Sequence, residues 1–283
     1  MTERPIADGA EHGRTEVADR RGRRPGGGRA RRIAFRSIVV LTTGFLLVTM
    51  VNALPLIAIN WLPRDAWLAV RTDHAPGDQV HRLHSLALAV LAWGMVTGVA
   101  LQFHRPRRKV AALLVALAVP VAIAGAEALT GTYAFAGTAP FLLPILLACA
   151  LHPSARELAG PPRLDRAMVI LALAAGVAWI AYALSVAKTA RATATPFEVD
   201  HLEFMVSLGL LAVLWSLIAA SDKAGWRFAA CAVLFLTACV ALQSLIYPAA
   251  ISGLSPLWAW AALAWGLAFG AAARRRARIA AAI

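Results

Sequence analysis

Eight apolar runs constrain this chain more than any other feature, because most of them are long enough to cross the roughly 30 Å of hydrocarbon in a bilayer. They are Ile38–Ile59, Ser85–Phe103, Val110–Leu129, Pro140–Leu151, Ala167–Ala187, Phe204–Ala220, Phe228–Tyr247 and Leu257–Ala272. The fourth is short and needs residues 136–139 to reach across. Only 15% of the 283 residues are charged, against about a quarter in soluble domains. The sequence therefore predicts an all-α polytopic membrane protein with eight transmembrane helices.

Basic residues are distributed unevenly between the two sides of these runs. All but five of the 28 Lys and Arg lie in the terminal segments or in the loops after the second, fourth and sixth runs. The five on the other side are Arg64, Arg71, Arg82, Lys188 and Arg191. Because an excess of Lys and Arg marks the cytoplasmic side, both termini are predicted to be cytoplasmic, in the cell inner (plasma) membrane.

The net charge of +13 is thus explained by topology, and not by nucleic-acid binding. The lipid bilayer is the expected partner, since anionic headgroups attract basic loops. A membrane-protein partner or a second copy of the chain stays an open alternative.

Two equivalent halves are indicated, because four runs precede Pro161-Pro162 and four follow. An even number of helices per half makes the halves parallel repeats. The predicted organisation is a disordered basic tail over residues 1–34, a first repeat over 35–160, a second over 161–275 and a tail over 276–283. When the two halves are aligned, polar residues fall at matching positions: His81 aligns with His201, and Glu127 aligns with Gln243.

Acidic and imidazole side chains gather where the second and sixth helices begin, at the extracytoplasmic face. Asp78 lies three residues before His81, and Glu198 lies three before His201, while His84 follows one turn after His81. A carboxylate one turn before a histidine can accept its Nδ1–H and present Nε2 to a ligand. The same carboxylate can also be a simple helix cap.

Glu127 is a further candidate, because it stands within apolar sequence near the end of the third helix. Ionisable residues inside a membrane are costly and commonly mark functional sites. Asp78, Glu198 and Glu127 are therefore the candidate catalytic residues.

The motifs resemble those of the haem A synthase type of membrane protein. In that family a Glu-x-x-His-Arg motif opens helix two and an Asp-His motif opens helix six of an eight-helix, two-half protein. The matching residues here are Asp78-Gln79-Val80-His81-Arg82 and Asp200-His201. The resemblance implies haem as the cofactor, His81 and His201 as its ligands, and Asp78 in place of the family's catalytic Glu.

The family also takes a haem-ligating histidine from the fourth helix of each half, and this chain departs from that pattern. Its fourth helix has no histidine before His152, and its eighth has none. Haem here requires a single axial ligand, a water ligand, or the pair His81 and His201 across the halves.

Two other functions fit the same residues. His81, His84 and His201 can act as imidazole ligands of zinc, iron or copper in a metal-dependent enzyme or metal carrier. Parallel repeats and an intramembrane Glu127 also suit a transporter or a non-catalytic accessory subunit.

Overall fold

The computed structural model describes residues 27–62, 79–132, 135–192, 196–248 and 250–282, except for the side chains of residues 27–28, 79–81, 135–136, 196–198 and 200. This part of the chain is helical and contains no strand. Its long helices are α1 (Gly27–Thr49), α2 (Gln79–Ala100), α3 (Val110–Thr130), α4 (Phe135–Leu151), α5 (Arg166–Ala192), α6 (Pro196–Ala220), α7 (Trp226–Ile246) and α8 (Pro256–Ala282). The start of α1 lies inside the segment predicted as a tail.

Seven of these helices are long and apolar enough to cross a bilayer, namely all except α4. With 17 residues, α4 is about 25 Å long, which is short of the hydrocarbon thickness. The prediction of a multi-pass helical membrane protein is confirmed. Eight complete spans remain a prediction.

The first predicted run, Ile38–Ile59, is not one continuous helix. The helix α1 ends at Thr49, and a turn leads into the short helix Leu56–Ile59. Pro55, just before that short helix, has no N–H to donate to the preceding turn and disfavours a straight continuation. This break opens space beside α2.

The helices pack as two rings of four. Within the first half, α1 contacts α2, α2 contacts α3, α3 contacts α4, and α4 returns to α1. The second half repeats this order from α5 to α8. The two rings meet chiefly through α2 and α3 on one side and α6 and α7 on the other.

Burial separates central from peripheral helices. The apolar segments of α2, α3, α6 and α7 are 56–67% buried, whereas those of α1, α5 and α8 are 22–28% buried. The peripheral helices therefore turn most of their apolar surface outward, as expected where hydrocarbon rather than water is the solvent.

Small residues allow the closest helix contacts. A Cβ on Gly98 of α2 would lie 2.5 Å from the Ala112 carbonyl oxygen of α3, and one on Gly209 of α6 would lie 3.0 Å from the Trp179 carbonyl oxygen of α5. Glycine lets these backbones approach, which is how small residues promote helix association in membranes.

Basic side chains cap carbonyl groups at the end of the bundle where α4 and α6 finish. Arg31 donates to the carbonyl oxygens of Ala150 (3.0 Å) and His152 (3.2 Å). Arg276 donates to those of Ala219 (3.0 Å) and Ser221 (2.9 Å). Because the last carbonyls of a helix lack intrahelical donors, these residues stabilise the helix ends as well as carrying charge.

Candidate functional site

Two histidines, one from each half, are in contact near the starts of α2 and α6, at what we call the histidine end of the bundle. The ring centres of His84 and His201 lie 5.2 Å apart, with their planes inclined by 49°. His84 is only 2% exposed, and His201 is half-buried. The packing of α2 against α6 thus joins imidazoles that are far apart in sequence.

Both rings line a cavity of about 380 Å³. The break after α1 supplies most of one wall, and α2 and α6 supply the others. The remaining lining residues are Thr49, Met50, Asn52, Ala53, Leu56, Ser85, Leu88 and Phe204. The volume lies within the range of about 300–1,000 Å³ typical of small-molecule and cofactor pockets.

Hydrogen bonds through Ser252 link the His84 ring to Tyr182 of α5. The His84 Nε2 lies 2.9 Å from the Oγ of Ser252, which is 1% exposed in the loop after α7. The Tyr182 hydroxyl of α5 donates to the Ser252 carbonyl oxygen at 2.8 Å. Because the hydroxyl engages Nε2, the ring orientation is fixed and Nδ1 is the other nitrogen that can serve a ligand.

Further polar contacts tie the halves together at the same end. Arg82 of α2 donates to the Leu62 carbonyl oxygen at 2.9 Å and to the Tyr247 hydroxyl, and it lies over that tyrosine ring. The Gln243 side chain of α7 donates to the Asn60 carbonyl oxygen at 3.1 Å. The segment after α1 is therefore attached to both halves.

Glu127 is buried at this end of α3, with 4% of its surface exposed. The Thr138 hydroxyl donates to its Oε1 at 2.5 Å, and Oε2 has no hydrogen-bond partner among the described residues. Glu203 of α6 accepts from the hydroxyls of Thr130, at 2.8 Å, and Thr132. Neither carboxylate lines the cavity beside His84.

Several predicted site residues lie outside the described part of the structure. Asp78 is one, and so are the side chains of His81, Glu198 and Asp200. Their proposed roles stay predictions. Among the residues that are described, no group of three or more His, Cys, Asp and Glu side chains converges on one point.

At the opposite end, His152 is fully buried, and sequence reasoning gave no signal for this. Its Nδ1 accepts from the Ser154 N–H at 3.0 Å, and its ring meets Phe35 edge-on at 5.2 Å. Burial lowers the pKa of this imidazole below its ordinary value of 6.5, while the Pro106 carbonyl and the charge of Glu157 oppose that shift.

No protein-family model matches this chain, and neither does any curated protein or solved structure.

Proposed function

We propose that this chain is a plasma-membrane protein whose two four-helix halves share an imidazole site, and that His84 and His201 bind a transition-metal ion there. The contact between these two rings, beside a cavity at the histidine end, carries the proposal. Eight spanning helices, parallel repeats and cytoplasmic termini are part of the same proposal.

The packing order supports the duplication. Each half closes a ring of four helices in the same sequence of contacts, and the second and third helix of each half form the interface. Equivalent helices also contribute equivalent groups, because α2 and α6 each bring a histidine near their start. Near their ends, α3 and α7 bring buried Glu127 and buried Gln243.

The ring separation is compatible with a shared small ion. Two imidazoles on one tetrahedral metal, with metal–nitrogen bonds of about 2.0 Å, have ring centres about 5 Å apart. The observed 5.2 Å agrees with that geometry. Metal-binding histidines commonly donate their second ring N–H to a protein oxygen, and the Ser252 hydroxyl stands in that position behind His84.

Haem is the second candidate, from the resemblance to haem A synthases and from the largely apolar cavity. Imidazoles on opposite sides of one metal, at similar bond lengths, have centres about 6 Å apart, which is wider than the pair observed. His84 and His201 therefore do not fit as two axial ligands of one haem. A haem here would take one of these two imidazoles, His81 stays a predicted second ligand, and the Met50 thioether in the cavity wall is another axial-ligand candidate.

Metal content of the purified protein tests the proposal. The full chain is extracted in mild detergent, and its metal content is measured by inductively coupled plasma mass spectrometry. About one zinc, iron or copper ion per chain is expected, since two imidazoles in contact make one site. His84→Ala and His201→Ala are each expected to lose it.

His104→Ala is the matched control, because this exposed histidine lies at the opposite end, after α2. It is expected to keep the metal. Retention of metal in both His84→Ala and His201→Ala would refute the assignment. A haem absorption spectrum lost on His201→Ala would favour the second candidate instead.

A further inference from the structure

A second cavity, of about 560 Å³, lies between α5 and α8, away from the histidine pair. These two peripheral helices are those with the least buried apolar segments, together with α1. Alanines at 174, 178 and 181 of α5 and at 261 and 262 of α8 line the cavity, and their short side chains leave the space between the helices open.

Its wall is aromatic. Trp179 and Trp265 lie in contact, with ring centres 6.4 Å apart, and Tyr182 meets Trp179 edge-on at 5.8 Å. The indole N–H of Trp265 donates to the Leu171 carbonyl oxygen of α5, which fixes that ring between the helices. Trp258 of α8 also lines the cavity. Rings held in this way offer flat surfaces for a flat partner.

One end of the cavity is polar. The hydroxyls of Ser185 and Ser255 and the phenol of Tyr182 lie along its lining. These groups are near the histidine end, since Tyr182 donates to Ser252, which in turn contacts His84. From Ala174 to Ser185 the lining of α5 rises about 17 Å, so the polar end is well separated from an apolar remainder.

We propose that this cavity binds a membrane-soluble quinone, with its planar ring beside Trp258 and Trp179 near the hydroxyl-lined end and its apolar tail along the alanines toward Trp265. An acyl chain alone would use the apolar walls but neither the aromatic surfaces nor the hydroxyls of Ser185 and Ser255, which can donate to quinone carbonyl oxygens, whereas the Tyr182 hydroxyl already donates to Ser252. The proposal concerns binding and does not depend on a metal at the histidine pair.

Photolabelling tests it. The full chain in mild detergent is irradiated with an azido-benzoquinone that carries a decyl chain, and the labelled peptides are identified by mass spectrometry. Labelling is expected on α5 and α8 and to be lost with excess unlabelled decyl-benzoquinone. Decanoic acid, which has a chain but no ring, is expected not to compete.

Two variants sharpen the test. Ala178→Phe places a ring inside the cavity and is expected to lose most of the labelling, whereas Val177→Phe, on the outward face next to it and 75% exposed, is expected to keep it. Labelling spread evenly over the helices, or equal competition by decanoic acid, would overturn the proposal. If Ala178→Phe does not fold, the competition result in the unmodified chain decides.

Discussion

Ser252→Ala probes how the histidine end is organised. The substitution removes the Oγ that lies 2.9 Å from His84 Nε2 and leaves the backbone contact to Tyr182 in place. Both Ser252 and His84 are at least 98% buried, so water cannot replace the lost partner without rearrangement. Loss of such a supporting hydrogen bond typically weakens metal binding about 10- to 100-fold. In free energy this is about 1.4–2.7 kcal/mol.

The assay is a competition titration of Zn²⁺ against a chelator, with the protein in detergent at constant pH. Ser216→Ala is the matched control, because that serine is equally buried but its hydroxyl bonds to its own helix, at the Ala212 carbonyl oxygen. We expect weaker binding in Ser252→Ala alone. Unchanged zinc affinity in Ser252→Ala, or an equal loss in Ser216→Ala, would refute the orienting role of Ser252.

Two further predictions concern stability. Gly98→Ala is expected to lower the midpoint of thermal unfolding, because the new Cβ would lie 2.5 Å from the Ala112 carbonyl oxygen. A Cβ on Gly44 would meet nothing within 4 Å, so the control Gly44→Ala is expected to be neutral or stabilising. Equal unfolding midpoints of the two variants in detergent would contradict this. Burial lowers the pKa of His152 in the folded state, so below about pH 6.5 the unfolded state binds more protons and stability should fall as the pH drops from 7 to 5. Thermal unfolding across that range should show a smaller pH slope in His152→Gln but not in the exposed control His104→Gln; an unchanged slope in His152→Gln would be evidence against this account.

The apolar runs predicted the helices well, because bilayer thickness fixes a minimum length that composition reveals directly. The exception is the first run, where the helix ends at Thr49 and Pro55 precedes a separate short helix. A hydropathy average over a window of residues does not detect the one backbone N–H that a proline lacks. The shortness of the fourth run was also visible, and α4 is the helix that falls below spanning length.

The contact between His84 and His201 was predicted less completely. Its position at the starts of α2 and α6 follows from motif spacing, and His84 and His201 were both among the predicted ligands. Their contact depends on which faces of two helices pack together, and alanine–leucine sequences leave those faces poorly specified. The support from Ser252 spans 168 residues and lies in a loop without any motif, so no local pattern predicts it.

For Glu127, the sequence predicted burial but not the hydrogen-bond partner. Its apolar neighbours indicate burial, and the side chain is indeed 4% exposed. Sequence comparison aligned it with Gln243 as the equivalent residue of the second half and predicted no hydrogen-bond partner; the observed partner is Thr138, from the neighbouring helix α4. Repeat symmetry does not predict this bond from the Thr138 hydroxyl, because the second half has an amide, Gln243, at the position of Glu127 and so has no buried carboxylate that needs a donor.

X-ray absorption at the metal edge of the purified protein measures the ligands of the proposed ion. Coordination by His84 and His201 predicts at least two imidazole nitrogen scatterers at about 2.0 Å from a four-coordinate ion, and their loss in the His84→Ala/His201→Ala double variant. A metal surrounded only by oxygen, the four-nitrogen plane of a porphyrin, or a spectrum unchanged in the double variant would contradict it.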